Sequence, residues 1–291
     1  MKFRRSSHCK INLLLNILGK RSDGFHELET ILHPLPFADL LSFEESPLQG
    51  VRLTCNDSRL PVDSGNLVYR AASLFFAASG ILSGVDIHLE KRVPLGAGLG
   101  GGSSNAAITL LTLNEIFGLP IPPIELGQLA ASLGSDVPFF LQNKPALGTH
   151  RGERITPLEP FACLKGRGLF LIHPGFGIST AWAYQDLSRF PDALNGQKGR
   201  ATAMIDALRS GTLSEAAHCF YNSLEAPVLS KYPLLVLFQE FLRSHEASVT
   251  MMSGSGSTTF AIFEEASRLP HVESAFKTKF GEFAWITSVI L

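Results

Sequence analysis

The sequence predicts an α+β protein of two domains, and three observations carry that reading. Apolar residues make up 45% and charged residues 18% of the 291-residue chain, a balance that supplies a substantial core and argues against global disorder. The first half mixes short strand-like runs with strongly periodic helical stretches. Near residue 155 the pattern changes to strands alternating with helices. Composition therefore divides the chain into residues 1–155 and 156–291. No internal repeat is visible.

The elements follow in order. Residues 10–18 read as a buried strand with polar interruptions at Asn12 and Asn16. Gly19-Lys-Arg-Ser-Asp-Gly24 is turn chemistry. Residues 40–43 and 50–54 are short strand candidates. From Asn66 to Ala78 the spacing predicts a helix with Leu67, Ala71, Leu74, Phe75 and Ala78 on one side. Val85, Ile87 and Leu89 alternate through a strand at 84–90. A helix over 103–117 buries Ala106, Ala107, Leu110, Leu111 and Leu113 and stops at Gly118. Another covers 123–133 and ends at Gly134. Leu169-Phe-Leu-Ile172 is an apolar strand, followed by helices near 200–209, 213–220 and 231–244. Strands at 248–252 and 258–263 flank a second glycine-rich turn, Ser253-Gly-Ser-Gly-Ser257.

Composition also excludes function classes. A net charge of −1 leaves no basic excess for a nucleic-acid backbone, although a single nucleotide needs only a local site. Cys9, Cys55, Cys163 and Cys219 are far apart without CxxC spacing, so they read as reduced thiols of a cytoplasmic protein. The apolar run 11–18 is short, is broken by two asparagines and lacks a cleavage site, which argues against a signal peptide. No stretch is long enough to span a membrane. The expected partner is a small molecule, and monomer and homodimer both stay open.

The most informative segment is Pro94-Leu-Gly-Ala-Gly-Leu-Gly-Gly-Gly-Ser-Ser-Asn-Ala-Ala107. Each glycine costs extra entropy on folding, so a packed core has no use for so many. The run fits a loop whose N–H groups approach a ligand closely. Ser103, Ser104 and Asn105 are N-cap residue types, so the loop is expected to feed a helix whose N-terminus favours a phosphate. A Walker A loop is excluded, because Gly102 stands where its lysine belongs. Gly96-x-Gly98-x-x-Gly101 matches the dinucleotide fingerprint, but Gly118-Leu-Pro-Ile-Pro-Pro123 stands where that fold needs an acidic residue.

Lys10 and Asn12 share a face of their strand at period two. Taken alone, Lys10 reads first as a lysine snorkelling from a strand end. Asp136, in Gly134-Ser-Asp-Val-Pro138, follows a helix stop and precedes an apolar segment. It is either a partly buried carboxylate that needs a partner or a turn aspartate.

The run Pro94–Ala107 resembles the second motif of the GHMP kinases, the family of galactokinase, homoserine kinase and mevalonate kinase. Ser253-Gly-Ser-Gly256 resembles the family's third motif. Lys10-Ile-Asn-Leu13, Arg21-Ser-Asp-Gly-Phe-His-Glu-Leu-Glu-Thr30 and Gly134-Ser-Asp-Val-Pro138 are similar to the branch that phosphorylates 4-diphosphocytidyl-2-C-methyl-D-erythritol. The resemblance implies a ribosomal-protein-S5-type N-terminal domain, a ferredoxin-like C-terminal domain and an active site between them. It implies transfer of the ATP γ-phosphate, with Mg²⁺, to the 2-hydroxyl of that cytidylyl substrate in the non-mevalonate isoprenoid precursor pathway.

Roles follow from the same resemblance and agree with what phosphoryl transfer needs. Asp136 is expected to accept the hydroxyl proton, and Lys10 to pair with it and stabilise the developing charge. The phosphates fall to Pro94, Leu95, Gly96, Ala97, Gly98, Leu99, Gly100, Gly101, Gly102, Ser103 and Ser104, with the Ser104 hydroxyl near the metal. Asn66, Leu67 and Val68 border the adenine. Asn12 orients the substrate, and Thr180 also belongs to its site. Phe25 and Tyr184 sandwich the cytosine, and His26 bonds its edge. Asn222-Ser-Leu-Glu225 carries a serine where the family commonly has aspartate, and it receives no role. Gly148-Thr-His-Arg-Gly-Glu153 is unusually charged for the family. Two rivals are another GHMP kinase, which would have no cytosine to bind, and a non-catalytic nucleotide-binding regulator, which would have no use for Lys10 and Asp136. A purely structural protein leaves the glycine run unexplained.

Overall fold

A computed structural model describes residues 2–291. Two antiparallel strands, β1 (Lys2–Lys20) and β2 (His26–Ser46), form a long hairpin at the centre of the first sheet. β3 (Gly50–Cys55) and β4 (Gly84–Glu90) extend it beyond β2. The far half of β2 pairs with β5 (Ala146–His150), which pairs with β6 (Arg154–Pro157). Two helices, α1 (Leu67–Ser79) and α2 (Gly101–Ile116), cover this sheet, and α3 (Pro123–Leu133) packs against both. Their shared core holds Phe43, Phe75, Ala107, Leu110 and Phe139.

The second sheet has the order β11-β7-β10-β9 and is antiparallel throughout. Its strands are β7 (Gly168–His173), β9 (Val249–Met252), β10 (Thr259–Phe263) and β11 (Trp285–Ile290). Before β9 come α4 (Thr180–Asp186), α5 (Pro191–Leu194), α6 (Arg200–Ser210), α7 (Leu213–Ala216), α8 (Glu225–Lys231) and α9 (Pro233–Ser244). α9 and α10 (Leu269–Phe280) pack on the sheet through Phe238, Phe241 and Phe276. β8 (Tyr221–Asn222) lies in the second half of the chain yet pairs in parallel with Leu14 and Leu15 of β1. The α+β class is as predicted. No helix of the described residues is long and apolar enough to cross a membrane. All four cysteines are free.

The structure differs from the local reading where long-range pairing decides. The strand predicted over 10–18 runs from 2 to 20, and that over 40–43 is the end of a strand beginning at His26. Pro34 and Pro36 hide this strand, since proline donates no ladder hydrogen bond. The fold admits them at a register shift between His8 and Lys10. The helix predicted over 231–244 is α9, which starts at Pro233, where proline suits a first turn; α8, just before it, has no counterpart in the sequence reading. The helix expected from 103 starts at Gly101. Its cap is Gly100, with φ 68° and no side-chain capping bond, so Ser103, Ser104 and Asn105 lie inside the helix.

Candidate active site

A cavity of about 950 Å³ opens between the two sheets. β1, the start of β2, both glycine loops, the turn at Asp136 and α4 wall it. The first glycine loop enters by alternation. Gly96, Gly98 and Gly100 face the cavity with φ of 61°, 74° and 68°. Ala97 and Leu99 point into the core, and their carbonyls accept the N–H groups of Thr258 and Lys10 at 3.2 and 2.9 Å. A Cβ on Gly98 would stand 2.0 Å from the Ser253 carbonyl oxygen, so only glycine lets the two loops meet. The first intrahelical bond of α2 runs from Ser104 N–H to the Gly100 carbonyl, 2.9 Å. No side chain caps the N–H groups ahead of it. Uncapped N–H groups at the positive end of a helix make an anion site.

One buried carboxylate pins both ends of this loop. Asp39 Oδ1 accepts the N–H groups of Arg92 and Val93 at 2.8 and 2.9 Å, just before the loop. Its Oδ2 accepts Asn105 Nδ2 at 2.9 Å, just after it, and pairs with buried Lys91. Fixing the loop in advance spares the entropy of ordering it around a ligand.

Lys10 and Asn12 extend from β1 as the period-two spacing predicts. Lys10 Nζ donates to Asn12 Oδ1 at 2.5 Å, and Asn12 Nδ2 donates to Thr30 Oγ1 at 2.9 Å. Thr30 in turn donates to the Leu14 carbonyl. Lys10 Nζ lies 3.7 Å from Asp136 Oδ2. Burial pushes the Lys10 ammonium below its ordinary value, and Asp136 pulls it back. A buried ammonium, a half-exposed carboxylate and a glycine loop with uncapped N–H groups thus face one volume.

The other end of the cavity is aromatic. The rings of His26 and Tyr184 lie 5.1 Å apart at 36°. Burial, then the Lys20 charge, lowers the His26 ring below its ordinary value, which favours the neutral ring. Burial, with the Asp136 charge adding to it, raises the Tyr184 phenol. Phe25 also lines the cavity but is 53% exposed, with the Arg151 guanidinium 4.6 Å above its ring. Tyr184 therefore meets His26, not Phe25. Thr180 Oγ1 lies 2.8 Å from Ser255 Oγ of the second glycine loop. Lys20 and Arg151 add positive charge, and among the described residues Asp136 is the only acidic side chain on the wall.

Two groups of expected residues stand apart from this volume. Asn66 caps α1 by accepting from Val68 N–H and donates to the Pro61 carbonyl, and Val68 is buried. Only Leu67 of the three reaches the loop, at Gly102. Ser104 does not present its hydroxyl to the cavity: it is buried and accepts from Ser7 Oγ at 2.7 Å. The helix starts two residues earlier than predicted, which rotates Ser104 inward and leaves Ser103 on the wall. Among the described residues there is no cluster of three His, Cys, Asp or Glu able to hold a metal. Sequence reasoning missed Arg151, Thr30, Ser255 and Asp39. Arg151 was signalled only by the unusual charge of the 148–153 segment, and Thr30 and Ser255 only by the motif stretches that contain them; Asp39 had no local signal.

Comparisons with known proteins agree with this geometry. The family model described as GHMP kinases N terminal domain matches residues 66–144, and that described as GHMP kinases C terminal matches 204–282. A 4-diphosphocytidyl-2-C-methyl-D-erythritol kinase of Pelotomaculum thermopropionicum is 39% identical over 93% of this chain and 92% of its own length. The enzyme of that name from a Geobacter species is 36% identical over 97% of both. A crystal structure of 4-(cytidine 5'-diphospho)-2C-methyl-D-erythritol kinase superposes with TM-score 0.81 at 34% identity, covering 98% of each chain. The homoserine kinase of Cytophaga hutchinsonii shares the fold at TM-score 0.73 and 20% identity, covering 97% of this chain and 94% of its own. The two matched family domains, the near full-length relatives and the uncapped glycine loop beside Lys10 and Asp136 lead to one conclusion: this chain belongs to the GHMP kinase family, within its 4-diphosphocytidyl-2-C-methyl-D-erythritol kinase group.

Proposed function

We propose that this ATP-dependent phosphotransferase moves the γ-phosphate of ATP to the 2-hydroxyl of 4-diphosphocytidyl-2-C-methyl-D-erythritol. That reaction belongs to the non-mevalonate supply of isoprenoid precursors. The observation that carries the reading is the two-ended cavity: Lys10, Asp136 and the glycine loop at one end, His26 and Tyr184 at the other. A homoserine or mevalonate kinase has no cytosine to place at the aromatic end.

In this reading Asp136 takes the proton of the attacking hydroxyl as the bond to phosphorus forms. Lys10, held by Asn12, stabilises the charge that develops on the transferred group. The loop from Pro94 to Gly102 and the N–H groups of the first turn of α2 bind the phosphates. The neutral His26 ring bonds the cytosine edge, Tyr184 and Phe25 supply its stacking faces, and Lys20 and Arg151 attract the diphosphate. Arg151 covers one face of the Phe25 ring, so the base stacks on the other face or displaces the guanidinium. The adenine lies beyond the loop, beside Leu67, with Asn66 and Val68 shaping the backbone there.

Mg²⁺ belongs to the same proposal. The wall offers one carboxylate, Asp136, and the Ser103 hydroxyl, a donor set that fits a metal held mainly by phosphate oxygens and water. Bound there, it would neutralise negative charge on the phosphates during transfer. The assignment of residues 1–155 to nucleotide binding and 156–291 to a second domain is also proposed. It is supported by the start of the second sheet at β7, while β6 runs on to Pro157 and β8 returns to the first sheet. We further place the protein in the cytoplasm, acting without nucleic acid, as a monomer or homodimer.

The test is a kinase assay with purified protein and ATP, comparing the cytidylyl substrate with homoserine and mevalonate. Turnover with the cytidylyl substrate alone supports the reading. Preference for either other acceptor overturns it.

A further inference from the structure

The segment Asn222–Glu225 has no place in the chemistry above, yet its polar groups converge on the second glycine loop. Asn222 is buried, and its Nδ2 donates to the carbonyls of both Met252 and Gly254 at 2.8 Å. Its Oδ1 accepts Leu224 N–H at 2.9 Å. Three hydrogen bonds occupy the side chain. Glu225 Oε1 accepts the N–H of Met252 at 2.7 Å and Gln239 Nε2 at 2.6 Å, and Gln239 accepts from Arg243. Met252 is thus held at its N–H by one residue of the segment and at its carbonyl by another.

The same segment is fastened to β1. Ser223 N–H donates to the Leu15 carbonyl at 2.8 Å, and Ile17 N–H donates to Ser223 Oγ at 3.0 Å. The serine that replaces the family's common aspartate therefore does a defined job: its hydroxyl satisfies a buried strand N–H. β1 also carries Lys10 and Asn12. The loop's Gly254 has φ 57°, and a Cβ there would lie 3.4 Å from both Asn12 Oδ1 and Lys10 Nζ. A shift of this loop by an ångström would change the surroundings of the ammonium directly.

We propose that Asn222 and Glu225 are positioning residues for phosphoryl transfer, acting as a two-point clamp that holds the second glycine loop against Lys10 and Asn12. They touch neither substrate; they fix the backbone that does. The inference rests on the phosphoryl-transfer reading above. It predicts a particular pattern of loss. ATP is gripped mainly by the first glycine loop, which Asp39 pins separately, so nucleotide affinity survives when the clamp is broken. Turnover does not, because alignment of acceptor, Lys10 and phosphate is lost.

The experiment compares Asn222→Asp, Glu225→Ala and the double variant with wild type. Asn222→Asp keeps size and the acceptor for Leu224 but turns a carboxylate on two carbonyls. Turnover at saturating substrates is expected to fall roughly 10- to 100-fold in each single variant, the scale on which about an ångström of misplacement is felt. The ATP dissociation constant, by calorimetry, is expected to stay within about twofold of wild type, the mark of a loss confined to the transition state. The double variant is expected to lose less than the product of the single losses, because both residues act on one loop. Glu225→Gln, which keeps an oxygen acceptor for Met252, is expected to retain more turnover than Glu225→Ala. If Asn222→Asp does not fold, Asn222→Ser, which keeps one donor, takes its place with the same readouts. Folded variants with wild-type turnover, or parallel loss of ATP affinity and turnover, overturn the clamp. Wild type inactive on the cytidylyl substrate overturns instead the reading on which it rests.

Discussion

Lys10 and Asp136 face each other at 3.7 Å with opposite exposures: the lysine side chain is 3% exposed and the aspartate side chain 43%. The cation is fixed in the protein, held by Asn12 and roofed by Gly100. The carboxylate stands at the solvent side, where an incoming hydroxyl can reach it. This division suits a reaction in which one group must stay put and the other must meet a mobile substrate. Replacing Asp136 by Asn keeps the shape and removes the proposed proton acceptor. Turnover of Asp136→Asn is expected to drop by about 10²–10⁴-fold, the usual worth of general acid–base catalysis. ATP affinity, by calorimetry, should be nearly unchanged. A variant with full turnover while chemistry limits the rate would remove Asp136 from the proton-transfer role.

The contact between Gly98 and Ser253 sets a steric limit on the phosphate loop. Gly98→Ala cannot keep the present approach, because the new carbon would overlap the Ser253 carbonyl. The loops must separate, and the Ser253 Oγ bond to the Gly98 carbonyl, 2.9 Å, goes with them. ATP affinity of the variant should collapse. Gly127→Ala, a helix-surface control with open space around the new carbon, should leave it intact. Equal ATP affinity in both variants would take the loop out of the nucleotide site.

Tyr184 is the sharpest probe of the aromatic end. Base–aromatic stacking is worth about 1–3 kcal/mol per base, so Tyr184→Ala should raise the KM for the cytidylyl substrate by roughly 5- to 150-fold where KM tracks binding. The KM for ATP should hardly move. Loss of affinity for both substrates in a folded variant would make Tyr184 a core residue and nothing more.

Acid is expected to weaken the hairpin at His33. Burial lowers its ring from 6.5 to about 4, although Nδ1 bonds the Pro34 carbonyl at 2.8 Å. The unfolded chain therefore binds a proton at higher pH than the folded one. Stability from this group is full above about pH 6.5 and is lost as pH falls toward 4. Between pH 7.5 and 5 the unfolding free energy should lose about 2 kcal/mol through His33, a step that the His33→Gln variant should lack in urea titrations. Identical pH dependence in both proteins would assign the acid sensitivity to other groups.

How much was legible in the sequence depends on the range of the interactions involved. The ends of α3 were readable because proline at its start and glycine at its end act within a few residues. The strands β4, β7 and β10 were readable from local apolar pattern. Lys10 and Asn12 were placed together correctly, because strand periodicity alone puts them on one face. The glycine run announced a closely approachable backbone, and Gly96, Gly98 and Gly100 line the cavity at positive φ. What the sequence could not disclose is set by contacts between distant segments. The full length of β2, the return of β8 to β1, and the last strand β11 exist because of partners far along the chain. Gly100, not Ser103 or Ser104, caps α2, with Ala97 and Leu99 packed beneath the loop that leads into the helix. Tyr184 meets His26, and Asn222 reaches Gly254, only once two sheets are docked. Local sequence determined which backbones and charges were available; burial of two cores against each other decided which of them share the cavity.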